Sequence, residues 1–314
     1  SFIKRNTNSF FMSTLKSGYV AIVGLPNAGK STVLNCLLGQ KLSIVTKKPQ
    51  TTRKRILGIL SDKSYQVVFI DTPGILTPAY LLQQKFLEYV NLASKDADLI
   101  LLIIDIKTDP QANLFLANDL VKKILSNKSK KKIALINKID LADENKVNKL
   151  LKKLDNSGFF NSIIPVSAIQ CFNLNKVLDD LIELLPVGPK YYPDDQLTDG
   201  SERFFVSEII REKVFEMFKD EIPYSTEIVI EEFTERKVGK DYISAVIYVE
   251  RNTQKPIIIG KSGDSIMKLG KIARRDIEDF LERQVYLELR VKVKSKWRNN
   301  QPSLKYFGYD IPND

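Results

Sequence analysis

At 314 residues, 43% hydrophobic and 27% charged, the chain has the composition of a globular protein and about twice the length of one typical domain. No run of about 18 apolar residues occurs, which excludes a transmembrane helix. The absence of histidine removes the usual general base and leaves any catalysis to positioning, lysine, carboxylates or a metal. A net charge of +10 points toward a polyanionic partner, although heavy use of Lys, Asn and Ile gives the basicity a second, compositional source. Cys36 and Cys171, without a CxxC spacing, argue against a disulfide scaffold and a structural zinc site.

The chain opens on a basic, hydroxyl-rich stretch, and its first acidic residue is Asp62. Residues 1–17 therefore read as an N-terminal extension resembling the tail of an organellar transit peptide, a composition that a disordered terminus shares. Short apolar runs then alternate with longer amphipathic stretches. Strands are predicted at 19–23, 66–70, 99–105, 132–136 and 163–166, and helices at 30–38 and 173–185. In the second helix Leu174, Val177, Leu178, Leu181, Ile182 and Leu185 make one apolar face. The pattern is that of a doubly wound, mostly parallel α/β sheet, whose ligands bind at the carboxyl ends of the strands.

Motifs stand at those ends. Gly24-Leu25-Pro26-Asn27-Ala28-Gly29-Lys30-Ser31, followed by Thr32, fits the phosphate-binding pattern GxxxxGK[ST] between a strand and a helix. Its backbone N–H groups wrap phosphate, Lys30 charges the β- and γ-phosphates, and the Ser31 hydroxyl is a Mg²⁺ ligand. Asp71-Thr72-Pro73-Gly74 offers a carboxylate for Mg²⁺ and a glycine that lets the next loop reach the γ-phosphate. Asn137-Lys138-Ile139-Asp140 matches the guanine-reading box of GTPases, where Asp140 accepts from the guanine edge that adenine lacks. Ser167-Ala168 resembles the loop that contacts guanine O6 through its backbone. Four motifs in order on successive strand ends predict a domain that binds GTP/GDP and hydrolyses GTP. Between the phosphate loop and Asp71, only residues 48–53 offer hydroxyls in a strand-breaking context. Thr52 is the favoured second Mg²⁺ ligand and Thr51 the alternative. Arg53 and Arg55 beside it read as solvated or RNA-facing rather than as catalytic fingers.

Residues 188–202, dense in Pro, Gly and Asp, have linker composition. After them the order is a helix at 203–218, strands at 225–235 and 242–250, a helix at 264–283 and a strand at 285–294. Ile259 precedes Gly260-Lys261-Ser262-Gly263, a GxxG loop that opens the second helix. In KH domains such a loop lets a nucleic-acid backbone approach beside an apolar groove, and the element order fits a type II KH domain. Alternation along the last strand places Lys292, Lys294 and Lys296 toward phosphates, with Trp297 as a stacking platform and Arg298 beside it. A lysine-guarded strand edge is the competing reading. The predicted division is extension (1–17), P-loop GTPase domain (18–187), linker (188–202), α+β KH domain (203–300) and C-terminal tail (301–314).

The residues closely resemble the Era family, bacterial and organellar GTPases of small-ribosomal-subunit assembly. Matched blocks include GQKLSIVTKKPQTTRKRILGI, the GPKYYPDD linker, ERFFVSEIIREK and VYLELRVKVKSKWR, several of them like the plastid branch. The resemblance implies the 3′ end of small-subunit ribosomal RNA and the small subunit as partners, with nucleotide state gating RNA binding through the linker. It also implies a monomer in bacterial cytoplasm or an organelle. Asn27 matches an asparagine that helps hold K⁺ in related GTPases. Ile75 stands where Ras-like enzymes carry a water-orienting glutamine, so slow turnover is expected. A GTP-sensing RNA-binding module with negligible hydrolysis is the alternative. A peripheral membrane role is disfavoured, because no large apolar face accompanies the charge.

Overall fold

The computed structural model describes residues 15–310. Most of the expected N-terminal extension, residues 1–14, and the last four residues, 311–314, lie outside the described residues. The first domain runs β1 (Lys16–Gly24), α1 (Lys30–Leu38), β2 (Ile56–Ser61), β3 (Tyr65–Asp71), α2 (Leu81–Asp96), β4 (Leu99–Asp105), α3 (Asn113–Ala117), α4 (Asp119–Ser126), β5 (Lys131–Asn137), α5 (Glu144–Asp155), β6 (Ser162–Pro165) and α6 (Leu174–Leu184). The strands form one sheet in the order β2-β3-β1-β4-β5-β6. Every neighbouring pair is parallel except β2 with β3.

Strand alternation sends successive side chains to opposite faces, and helices cover both. Ala21 and Val23 meet Val90, Val121 and Leu150 of α2, α4 and α5, while Val20 and Ile22 meet Val33, Leu34, Val177 and Leu181 of α1 and α6. The five predicted strands are all present. β2, the antiparallel edge strand, is absent from the sequence-based list.

The second domain runs α7 (Glu202–Met217), β7 (Glu227–Thr234), β8 (Asp241–Val249), α8 (Lys255–Ile259), α9 (Asp264–Leu281) and β9 (Val285–Val293), followed by α10 (Gln301–Tyr306). α7 starts where the linker ends because the Ser201 hydroxyl caps it, accepting from the Phe204 N–H at 3.3 Å. β7 pairs antiparallel with β8, which pairs parallel with β9. One sheet face packs on α7 and α9 through Val206, Ile210, Leu269, Ala273 and Ile277.

Two features depart from expectation. The region read as a tail is structural: Leu304, Phe307 and Tyr309 are buried with Trp297 and Tyr248 against Leu82, Phe86 and Tyr89 of α2, closing the seam between the domains. Cys36 in α1 and Cys171 in the β6–α6 loop form a disulfide, with Cα atoms 5.9 Å apart. It is a single clip between residues 135 apart in sequence, which spacing alone could not disclose. Among the described residues no helix is long and apolar enough to cross a membrane.

Candidate nucleotide site and nucleic-acid interface

The carboxyl ends of β1, β3, β4, β5 and β6 border a cleft of about 610 Å³. Asn27, Gly29, Lys30, Ser31, Thr32, Thr52, Gly74, Asn137, Lys138, Asp140 and Ala168 line it. Gly24, Ala28, Asp71 and Ser167 stand immediately behind, tied to the wall by hydrogen bonds from or to Ile75, Asn137, Ser31 and Asp140. The fold thus gathers every residue that the motifs nominated for the nucleotide.

At the phosphate end Gly29 takes φ +98°, left-handed backbone that glycine adopts without Cβ strain. A Cβ on Gly74 would stand 2.7 Å from Pro26 Cα, so only glycine lets the loop after β3 close on the phosphate loop. Lys30 is buried and donates to the carbonyls of Gly24 at 3.3 Å and Leu25 at 3.0 Å. Burial pushes its ammonium down to about 8, against the upward pull of Asp71.

Ser31 Oγ donates to Asp71 Oδ2 at 2.7 Å and lies 2.9 Å from Thr52 Oγ1. Burial raises the Asp71 carboxyl above its ordinary range, partly opposed by Ser31, Lys30 and Ser43. Among the described residues its Oδ1 is buried without a partner. Three hard oxygens and one orphaned carboxylate lone pair fit a Mg²⁺ ion. Thr51 does not join them; its hydroxyl bonds Thr46 Oγ1 at 2.7 Å and Lys48 O at 2.8 Å.

At the base end Asn137 crosslinks the walls, donating to Ala28 O at 2.8 Å and accepting from Ala168 N–H at 3.0 Å. Ser167 Oγ donates to Asp140 Oδ1 at 2.6 Å, which holds that carboxylate toward the cleft. Lys138, at φ +67°, donates to Asn27 O at 2.7 Å and pairs with Asp105 at 2.6 Å. Asp105 was missed in the sequence. Its signal is its place, an acid closing β4 on the ligand-binding edge. Ile75 is 1% exposed and packs in the core, so it orients no water.

The loop carrying Thr52 is bolted to the second domain. Lys48 donates to the carbonyls of Phe215 and Phe218. Arg53, 1% exposed, donates to Thr226 O at 2.6 Å and Pro223 O at 2.8 Å and pairs with Glu227 at 3.1 Å. Arg211, paired with Glu208, donates to Thr51 O, and Glu212 accepts from Val45 N–H and Lys41. These contacts correct the reading of Arg53 as solvated. They also place a direct connection beside the linker, which packs on the first sheet through Leu197 O, the acceptor for Ile59 N–H at 2.8 Å.

In the second domain Gly260 and Gly263 take φ +77° and +86°, with Ser262 at +53°. Lys261 and Ser262 are exposed, and Ile259 is half-buried. Ile257 and Met267 are exposed apolar neighbours, at 51% and 62%. An open glycine loop with apolar flanks is what a nucleic-acid backbone and its bases require.

The strand-end cluster is different. Trp297 is fully buried, its Nε1–H donating to Ser225 O at 2.9 Å, so it offers no stacking platform. Arg298 pairs with Glu250 and lies 4.6 Å over the Tyr80 ring, joining the domains. Lys292 pairs with Glu231, and Lys294 lies 4.6 Å over Tyr306. Alternation puts both lysines on the sheet face opposite α7 and α9. Of this cluster, Lys292 and Lys296 are exposed.

Residues 19–138 match the family model described as 50S ribosome-binding GTPase, and residues 221–298 match the KH domain model. The chain is 43% identical over 294 residues to a protein named GTPase Era from Geotalea daltonii, covering 94% of this chain and 98% of that one. It is 41% identical to the Arabidopsis thaliana protein named GTPase ERA-like, chloroplastic, over 94% of this chain and 69% of the relative. A solved Era structure in complex with MgGDPNP and nucleotides 1506–1542 of 16S ribosomal RNA superposes with a TM-score of 0.88 at 36% identity, covering 95% of this chain and all of that one. An Era variant from Aquifex aeolicus bound to GDP and AlF4⁻ superposes at 0.87, also at 36% identity and over the same shares.

Proposed function

This chain belongs to the Era family of GTPases, and from that membership we propose how its own residues carry the work. It binds GTP, hydrolyses it to GDP with Mg²⁺, and binds the 3′ region of small-subunit ribosomal RNA through its KH domain during small-subunit assembly. The observation that carries this reading is the solved relative holding MgGDPNP and 16S ribosomal RNA together, superposed over 95% of this chain. The phosphate loop and Lys30 hold the triphosphate, Asp140 and the Ala168 backbone read guanine, and Ser31, Thr52 and Asp71 hold the metal. Mg²⁺ supplies charge neutralisation on the phosphate oxygens. Without a water-orienting side chain at Ile75, intrinsic turnover is slow. Asn27, at the cleft rim beside Lys47 O, is the residue through which K⁺ would act.

The GxxG loop and its apolar flanks take the RNA. Gating runs through the loop of Thr52: the residues that sense the γ-phosphate end are neighbours of Thr51 and Arg53, which α7 and its following turn hold. The basic opening stretch and the chloroplastic relative support an organellar address, which fluorescence microscopy of the tagged full-length protein tests.

The functional test is binding of a short single-stranded RNA, matching the 3′ end of the organism's small-subunit ribosomal RNA, with GTP analogue, with GDP and with neither. Tighter binding with the analogue supports gating. Equal binding in all three states refutes it, and no binding at all refutes the ribosomal reading.

A further inference from the structure

We propose that Cys36 and Cys171 are a reversible thiol–disulfide modification site that sets the rate of guanine-nucleotide exchange. The inference rests on the nucleotide reading of the cleft and adds a control to it. Neither cysteine lines the cleft, but each belongs to an element that borders it. Cys36 belongs to α1, the helix whose first residues are Lys30 and Ser31. Cys171 belongs to the loop that carries Ser167, Ala168 and Ile169, of which Ala168 and Ile169 line the base end of the cleft. Their Cα separation of 5.9 Å lies within the range a disulfide spans without backbone movement.

The loop is anchored at its start, where Ser167 Oγ donates to Asp140 and the Ala168 N–H to Asn137, and is weakly held over residues 169–172. Its ends meet through Phe172 N–H to Ser167 O at 2.9 Å and the Asn173 amide to Pro165 O at 2.9 Å, while Cys171 N–H reaches Ala168 O at only 3.3 Å. Cys171 takes φ +49°, a left-handed conformation that costs a non-glycine residue and persists only where its surroundings enforce it. The bond to Cys36 is such an enforcement. Ile169, Cys171 and Phe172 are exposed, so in the reduced protein little packing opposes movement of residues 169–172, whose first member lines the base end of the cleft. With the bond formed, the base-side wall is fixed to the phosphate-side helix, and guanine must leave past a wall that cannot part. With it broken, the loop opens and the base leaves faster.

Exposure of Cys171 also gives the bond the accessibility of a labile disulfide. In the oxidising direction the Cys171 thiolate attacks one sulfur of a low-molecular-weight disulfide and expels one thiolate. The Cys36 thiolate then attacks the Cys171 sulfur and expels the second. The pair loses two electrons and two protons, and the reagent becomes two thiols. An excess of a small dithiol reverses both exchanges.

The test is release of a fluorescent GDP analogue from the full chain, after oxidation with glutathione disulfide or reduction with dithiothreitol, with free thiols counted in each sample. Release about fivefold slower from the oxidised protein, at the low end of coupling between two sites, with Cys36→Ser and Cys171→Ser both indifferent to treatment, is the expected result. Identical release from verified oxidised and reduced wild type overturns the proposal, as does failure of glutathione disulfide to close the pair. Because wild type is compared with itself, misfolding of a serine variant does not disable the test. Failure to take up the fluorescent nucleotide at all overturns the nucleotide reading and this control together, whereas uptake with indifferent release overturns the control alone.

Discussion

Replacing Arg53 with methionine keeps most of the side-chain length and removes the guanidinium that fastens the Thr52 loop to the second domain. That group serves Thr226 O, Pro223 O and Tyr224 O at 2.6, 2.8 and 3.2 Å and Glu227 at 3.1 Å. Both charged side chains are sequestered, at 1% and 6% exposure, so Arg53→Met leaves a carboxylate out of water to which, among the described residues, the Tyr309 hydroxyl still donates at 2.6 Å. Breaking one side of a buried pair costs about 3–5 kcal/mol, and the freed carbonyls lie within that figure rather than on top of it. Total stabilities of about 5–15 kcal/mol leave the variant folded but weakened. At about 2–4 °C per kcal/mol, a loss of about 4 kcal/mol lowers the unfolding midpoint by about 8–16 °C.

The assay is thermal and urea unfolding of wild type, Arg53→Met and the double variant Arg53→Met with Glu227→Gln. Neutralising Glu227 removes the uncompensated charge while its amide oxygen still accepts from Tyr309, so the double variant recovers about half the loss, roughly 2 kcal/mol. A single-variant loss under about 1 kcal/mol, or a double variant no better than the single one, refutes the argument that this pair holds the seam. The RNA-affinity difference between GTP-analogue and GDP states also shrinks in Arg53→Met.

Asp140→Ala removes the carboxylate that reads guanine, and a preference for GTP over ATP on the order of 10⁴-fold falls toward parity, read by competition binding. Gly260→Asp places a Cβ 2.6 Å from Ser265 Cβ, whereas Gly263→Asp has space and bears only the strain of φ +86°; both lower RNA affinity at least about tenfold, and the first lowers the melting temperature more. Trp297→Phe leaves Ser225 O without its donor and costs about 1–3 kcal/mol, while RNA affinity per folded molecule is unchanged; a large affinity loss restores the stacking reading. Turnover in KCl exceeds that in NaCl, and equal rates sink a role for K⁺ at Asn27. Without nucleotide, Lys30 at about 8 sheds its proton in the folded chain before the unfolded chain does. Its contribution to stability is therefore flat below pH 8 and rises toward pH 10.5 by about 3 kcal/mol, measured as the difference between wild type and Lys30→Met in urea.

Local chemistry made the nucleotide site readable, because each motif completes its task within a few residues of one strand end. β4 was legible to the residue, since a parallel strand buried on both faces is a continuous apolar run. Sequence reasoning failed where a side chain's fate depends on distant partners. Arg53 is buried because acceptors about 170 residues away enclose it. Trp297 was misread as open for stacking because Leu304 and Phe307, which bury it, lie in the segment read as a tail. The strand ends at Val293, Lys296 turns into left-handed backbone at φ +51°, and residues 297–299 form a 3₁₀ turn. Alternation therefore does not carry from Lys292 to Lys296, the third lysine read onto one face. The cysteine pairing left no trace in spacing, since the sheet and helices that unite Cys36 and Cys171 are assembled from all the sequence between them.

Leu304, Phe307 and Tyr309 lie late in the chain, yet they close the apolar seam against Leu82, Phe86 and Tyr89. Chains are made N-terminus first, at about 5–20 residues per second, so the GTPase domain has its full sequence well before residues 304–309 emerge. During that interval a nascent chain holds a nucleotide pocket with no second half to answer to, and α2 presents an uncovered greasy stripe. The coupled machine is born only when α10 docks, so a chain terminated before it is a nucleotide binder with a sticky flank rather than a slower version of the whole.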